Sequence, residues 1–336
     1  MQIKKVRIAF IGIEHDHACF NIASALKQSD IFEPVCFAVP EIDKSEYAEK
    51  LKVFGNLPES SVEEIISNKE IDAVMVETFE LNLTKYALIA AEHGKHIFMD
   101  KPGGADLSEF ERLIKTVKEK KLVLQIGYMY RFNQAVKDLL KDVKNGKLGD
   151  IICVEAQMNC CHTIEKRRWL SYFKGGIMFF LGCHIIDIIL QIQGMPKSVT
   201  PFNKCSEGKN GGYEDFTMSV LEYENGVSFA KTSSCEIGGF NRRQIVVVGT
   251  KGTVEIKPIE AYTENMPEEY LKSNIKTYTA LSWDDVGTER ITEPHNRYDD
   301  MTAFFGKCVL KEEKSSISYD YELELYKVLL KCCGVE

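Results

Sequence analysis

The chain has 336 residues, 44% of them hydrophobic and 27% charged, with a net charge of −8 at neutral pH. That length suits two domains of about 100–200 residues better than one core. Acids and bases are interspersed without a basic block, which argues against nucleic acid as the main partner. No apolar run approaches the ~18 residues of a membrane span.

The first 125 residues alternate between a short apolar run and a helical period. Val6–Ile11 reads as a buried strand rather than a signal peptide, and a glycine and a helix over Ala18–Gln28 follow it. Pro34–Val39 is a second strand, with helices over Ser45–Lys52 and Ser61–Asn68. The latter is opened by Ser60 or Ser61, with Glu63 and Glu64 in its first turn, a capping pattern. Ile71–Thr78 is a strand, Thr84–His93 a helix closed by Gly94, and His96–Asp100 a strand. A helix over Ser108–Lys120 and a strand over Leu122–Gly127 complete the series. Strands alternating with helices imply βαβ units and a doubly wound, Rossmann-type parallel sheet.

After Gly127 the texture changes. Helices are expected over Asn133–Asn145 and Gly182–Gln193, and a strand over Asp150–Gln157. Strands over 217–223, 227–233, 244–249 and 253–256 then follow closely, two pairs being joined by the tight turns Glu224-Asn225-Gly226 and Thr250-Lys251-Gly252. This is an α+β domain with a large, mostly antiparallel open sheet. The domains divide as 1–125 and 126–336, with a final helix over Tyr321–Cys332 able to pack back on the first. Ser206–Gly212, rich in Gly, Lys and Asn, is the segment expected to be mobile. Eleven cysteines without a C-x-x-C pair suit a reducing cytoplasm. Cys160-Cys161-His162 is a conceivable metal motif, but three adjacent ligands need distant partners, and no metal is expected.

Three constellations carry chemistry. The loop after the first strand keeps Gly12 of a dinucleotide fingerprint but has Glu14 and His17 where the second and third glycines belong. His15 and His17 there read most simply as surface residues. At the second strand's end, Glu41 or Asp43 either reaches a ribose or forms a solvated turn. The segment GKHIFMDKP, residues 94–102, puts Lys101 where a strand meets the ligand crevice, with Pro102 stopping the strand. Finally, His184, Asp187 and Gln191 form one stripe on an Ile-rich helix, entered through Gly175-Gly176. A solvated stripe usually carries Lys, Arg or Glu, so a cleft-facing stripe is favoured.

Together these segments resemble the Gfo/Idh/MocA family of oxidoreductases, named for glucose-fructose oxidoreductase and inositol dehydrogenase. GKHIFMDKP is similar to the family's GKHVFxEKP, and GGIMFFLGCHIID to GGGxxxDxGxHxxD; QIGYMYRFN, NGKLGDIICVEA, GTKGTVEI and RYDDMTAFFGKCVL fit as well. The resemblance implies NAD or NADP as cofactor, with the balance slightly toward NAD. It implies a cofactor site over Gly12, Ile13, Glu14, His15, Thr78, Phe79, Asp100, Lys101 and Pro102. Lys101 and His184 are the implied catalytic pair, and Tyr128, Arg131, Phe180 and Asp187 the substrate residues, with Asp187 able to orient the His184 ring. Phe180 stands where many members have an acid, and Thr78-Phe79-Glu80-Leu81-Asn82-Leu83 replaces the usual T-P-N-x-x-H.

The implied reaction is hydride transfer between nicotinamide and a secondary alcohol or ketone of a sugar, polyol or related small molecule. Lys101 would stabilise the reacting oxygen, and His184, an imidazole with an ordinary pKa near ~6.5, would exchange its proton. This requires the two residues to share one pocket. The alternatives are a family member that binds cofactor without turnover and one that cleaves glycosides by transient oxidation. A homodimer or homotetramer through the second domain's sheet is also expected.

Overall fold

The structure, a computed structural model, describes residues 4–104, 106–208 and 211–335. Lys209 and Asn210, in the segment expected to be mobile, lie outside the described residues. The chain divides into two compact units, Met1–Met129 with Tyr298–Leu323, and Tyr130–Arg297 with Glu324–Glu336.

In the first unit, β1 (Val6–Ile11), β2 (Phe32–Ala38), β3 (Ala73–Val76), β4 (His96–Met99) and β5 (Leu124–Ile126) form a parallel sheet in the order β2-β1-β3-β4-β5. β3 is buried throughout and β1 and β4 almost so, which is why they read as unbroken apolar runs. Pro34 is tolerated because β2 is an edge strand whose register slips beside it. The crossovers carry α1 (Ala18–Lys27), α2 (Ala48–Leu51), α3 (Val62–Ser67), α4 (Leu83–Glu92) and α5 (Leu107–Lys120). Ser61 and Glu64 close the expected capping box on α3. The helix expected over Ser45–Lys52 shrinks to α2, because the Asp43 carboxylate accepts from the Ser45 amide and hydroxyl and fixes a turn instead.

In the second unit, α6 (Gln134–Lys144), β6 (Ile151–Asn159), α7 (Ile164–Trp169) and α8 (Cys183–Gln193) precede the strand-rich part. β7 (Ser198–Lys204), β8 (Phe216–Tyr223), β9 (Gly226–Ser233), β10 (Gln244–Gly249) and β11 (Gly252–Ile256) follow. β12 (Ala261–Tyr262), β13 (Tyr270–Lys272), β14 (Asn274–Tyr278), β15 (Thr288–Ile291) and β16 (His295–Asn296) complete the strands. Eight of these make one sheet, β15-β14-β11-β10-β6-β9-β8-β7, antiparallel except for the β6–β9 pair; β12, β13 and β16 make a small second sheet. The expected α/β plus α+β architecture is therefore the one present, although β7, the strands β12 to β16 and α7 were not foreseen. A π-helical turn over Met178–Gly182 runs into α8.

Two late helices end the chain. α9 (Asp299–Leu310), also unforeseen, belongs to the first unit, where Ser24 of α1 and Gln28 just after it donate to the Asp299 side chain and carbonyl. The residues of α10 (Tyr319–Cys332) are divided between the units.

A polar cluster is buried in the second unit. The Glu260 carboxylate, 2% exposed, accepts from both nitrogens of the Arg297 fork at 2.7 and 2.8 Å, from Arg243 at 3.2 Å and from the Tyr130 hydroxyl at 2.5 Å. Burial raises a carboxyl's pKa, but the two guanidiniums outweigh it and hold Glu260 below its ordinary value. Its stabilising contribution is thus present above the ordinary glutamate range and fades as pH falls through the lowered value. Glu260→Ala removes the carboxylate shared by two part-buried guanidiniums and should cost about 3 kcal/mol. Urea unfolding at neutral pH measures this.

Candidate active site

The first unit gathers its polar residues where β1, β3 and β4 end. Gly12, directly after β1, has φ +91°, and a Cβ there would lie 2.5 Å from the Thr78 nitrogen. Only glycine allows this approach of two backbones. The following loop is held from outside by Lys50, whose ammonium donates to the carbonyls of Glu14 at 2.9 Å and His15 at 3.1 Å. No motif pointed to Lys50, which reaches the loop from 35 residues away.

His15 is fully buried, contrary to the surface position expected. Its Nε2 donates to the Lys101 carbonyl at 3.1 Å, and its Nδ1 lies 3.0 Å from Asp100 Oδ2. Asp100 is the centre of the cluster. Its Oδ1 accepts from the Lys101 amide at 2.7 Å, and its Oδ2 from Asn21 at 2.9 Å, while the same Asn21 amide donates to Glu77 at 2.9 Å. Gly127 leaves room for it, since a Cβ there would meet Asp100 Oδ1 at 2.8 Å.

Burial alone would raise Asp100, but the neighbouring His15 and His17 outweigh it and hold the carboxyl well below the usual range. His17 is itself pushed down to about 4 by burial, against the pull of Asp100, so at neutral pH it serves Asp100 as a dipole. Burial, then the charge of Asp100, drives Glu77 the other way, well above its ordinary value. Glu80 is raised by burial as well.

Lys101, 1% exposed, follows Asp100, and its peptide bond to Pro102 is cis. Its amide and carbonyl are both engaged, so the backbone bearing the ammonium is pinned on either side. Tyr128 is also buried, its amide bonded to the Ile126 carbonyl. Beyond the end of β2 lies a cavity of about 460 Å³, lined in part by Pro40, Glu41, Ser60, Ser61, Lys85 and Tyr86. Glu41 pairs there with Lys85 at 2.7 Å, whereas Asp43 is spent on its own turn.

The second unit holds His184, 1% exposed on α8, with the Tyr130 ring edge-on at 5.0 Å. Asp187 is equally buried, so the stripe is not solvated. Asp187 is bound by two other side chains. It takes a two-pronged ion pair from Arg131 at 2.9 and 2.8 Å, and a bond from Gln191 at 2.9 Å. Phe180 joins an aromatic cluster with Trp169 and Phe173, over which the Lys166 ammonium sits 4.9 Å from the Phe180 ring. Trp169 and Lys166 carry no motif in the sequence and were missed. At the Cys160–His162 motif, no group of three metal-ligating side chains gathers among the described residues.

A parallel sheet in this order, with a glycine-only approach after β1 and a crevice beyond the strand ends, defines a dinucleotide-binding fold. The family models agree: residues 6–128 match the oxidoreductase family with an NAD-binding Rossmann fold, and residues 134–255 match the GFO/IDH/MocA C-terminal domain. The chain belongs to the Gfo/Idh/MocA oxidoreductase family.

Among its relatives, a scyllo-inositol 2-dehydrogenase (NADP(+)) of Bacillus subtilis is 29% identical over 164 residues, 48% of this chain and 46% of the relative. A 2,7-anhydro-N-acetylneuraminate hydratase of Escherichia coli is 27% identical over 207 residues, 59% of this chain and 54% of the relative. The chain thus spans about half the length of these two. A levoglucosan dehydrogenase solved with NADH and levoglucosan shares the fold, with a TM-score of 0.79, 17% identity and 98% of both chains covered.

Glu14 offers a test of the loop's electrostatics. Burial, aided by Glu80 and Glu41 and opposed by the Phe79 amide and Lys50, pushes its carboxyl from 4.5 up to about 7. The folded chain therefore holds a proton that the unfolded chain releases, and stability falls as pH rises from 4.5 to about 7. Glu14→Gln should melt above the unsubstituted protein at about pH 8 and together with it near pH 4. Thermal melts at the two pH values check this.

Proposed function

We propose that the protein is an NAD(P)-dependent dehydrogenase that moves a hydride between nicotinamide and a secondary alcohol or ketone of a sugar, polyol or related small molecule. The observation that carries the reading is Lys101: an ammonium beyond β4, on a backbone fixed through Asp100 and His15, next to a loop only glycine can form. The residues fit a dinucleotide. Gly12 opens the approach to the α1 N-terminus, and the cavity beyond β2 has a volume suited to an adenosine. The cofactor supplies the hydride acceptor or donor at its C4.

This chain's residues do the rest. Ile13, Glu14, His15, Thr78, Phe79 and Pro102 border the cofactor, with Glu14 protonated in part at neutral pH and so less repulsive to a pyrophosphate. Glu41 at the adenosine cavity favours ribose hydroxyls over a 2′-phosphate, which supports NAD over NADP. Lys101 hydrogen-bonds the reacting oxygen and stabilises its alkoxide character. His184 exchanges the alcohol proton. Tyr128, Arg131 and Phe180 shape the substrate site, and Asp187 holds the Arg131 fork in place. Phe180, in place of an acid, favours a substrate with an apolar face.

The same reading includes a homodimer or homotetramer. Exposed Phe202, Phe216 and Val227 lie on one face of the eight-stranded sheet by register, which supports a face-to-face pairing. Eleven free cysteines support a cytoplasmic location. Among the described residues no helix is long and apolar enough to cross a membrane.

A screen of inositols, sugars and diols with NAD+ and NADP+ tests the reading through reduced-cofactor absorbance. One substrate class should turn over, faster with NAD+. Lys101→Ala should then lose about 100-fold or more in kcat while holding NADH nearly as well. Failure of both NADH and NADPH to bind at millimolar concentration, or a normal kcat in Lys101→Ala, contradicts it.

A further inference from the structure

We infer that His15, His17 and Asp100 form a binding site for a divalent first-row transition ion of zinc type, beneath the loop that follows β1. The three donor atoms lie within 4.8 Å of one another, and no other trio of His, Cys, Asp or Glu does so among the described residues. Asp100 Oδ2 is 3.0 Å from His15 Nδ1 and 3.4 Å from His17 Nδ1. A tetrahedral ion with bonds of about 2.0–2.1 Å sets its ligands about 3.3 Å apart, close to both of these separations.

The hydrogen bonds around His15 make the argument specific. A carbonyl only accepts, so His15 Nε2, 3.1 Å from the Lys101 carbonyl, must carry the hydrogen. Nδ1 faces both the His17 amide at 3.2 Å and the Asp100 carboxylate oxygen at 3.0 Å. A cation seated between the ring and the carboxylate takes a lone pair from each. A ring nitrogen tied to a backbone carbonyl while its partner faces outward is also the arrangement that orients histidine ligands.

Two neighbouring carboxyl groups have spare oxygens too. Glu80 Oε1 is buried without a hydrogen bond, 3.7 Å from the His15 ring, and Glu77 Oε2 is buried without one as well. His15 and Asp100 are fully buried, while the His17 side chain keeps 17% exposure and provides the entry path. With three protein ligands the fourth position falls to water. Such an ion would tie the loop after β1 to the end of β4. Nitrogen and oxygen donors without thiolate suit Zn²⁺ and Co²⁺.

The test uses the full chain, dialysed against EDTA, with Zn²⁺ followed by calorimetry and Co²⁺ by absorption. One equivalent of Zn²⁺ should bind, and Co²⁺ should give visible ligand-field bands without a near-ultraviolet thiolate band. His17→Ala, at the part-exposed ligand, should weaken Zn²⁺ by about 100-fold or more. No binding, a thiolate band that places the ion on the cysteines, or unchanged affinity in His17→Ala would overturn the site. If that variant does not fold, the Co²⁺ spectrum of the unsubstituted protein decides alone. Cofactor binding is measured on the same samples, so failure of the metal site is read separately from failure of the dehydrogenase reading.

Discussion

A buried negative charge at the end of β4 governs the first unit. Asp100 has no exposure to water, and an ionised carboxylate in such a place is tolerable only when its lone pairs are satisfied. The chain meets that demand with groups from several segments: Asn21 from α1, the imidazoles of the loop after β1, and the amide of Lys101 itself. Each of these partners thereby acquires a fixed position. The loop that faces the crevice, the strand end and the ammonium at 101 are arranged as a consequence of one solvation problem. Gly12 and Gly127 are part of the same solution, since a side chain at either would push the strands' ends apart.

The second unit solves similar problems separately. Glu260 gathers Arg243, Arg297 and Tyr130, and Asp187 gathers Arg131 and Gln191. In both, planar guanidinium forks match carboxylate geometry, which fixes side-chain direction as well as charge. Tyr130 links the Glu260 cluster to His184, its hydroxyl bound to the carboxylate and its ring edge against the imidazole. Packing against that ring helps set the orientation of His184, and Asp187 directs Arg131.

Much of this was legible in the sequence, for identifiable reasons. The strands β1, β3 and β4 are almost wholly buried and apolar, and all five strands alternate with helical periods, so their existence and order of type could be read directly. The hairpins at Asn225-Gly226 and Lys251-Gly252 announced themselves by turn chemistry. β7 was hidden by Pro201 and its alternation of half-buried and exposed residues, which an edge strand permits. β15 is exposed along its whole length and has no apolar signal at all. At the site, Lys101 and Asp100 stood out because they interrupt an apolar run at a strand end. Asn21 and Lys50 did not, because a single amide within a helix or a lysine on a short one looks like ordinary polar surface. His15 was misplaced for the same reason: nothing local marks a loop histidine as buried when its partners are 85 residues away.

The dependence of the cofactor loop on the charge at position 100 is tested most directly by NADH titration of Asp100→Asn beside the unsubstituted chain, both folded by circular dichroism. The side chain keeps its size, loses its charge and exchanges one accepting oxygen for an NH2 donor. NADH affinity should fall by about tenfold or more, because the loop and Lys101 lose the anchor that fixes them. Equal affinity in the two proteins would show that the buried carboxylate does not organise the site.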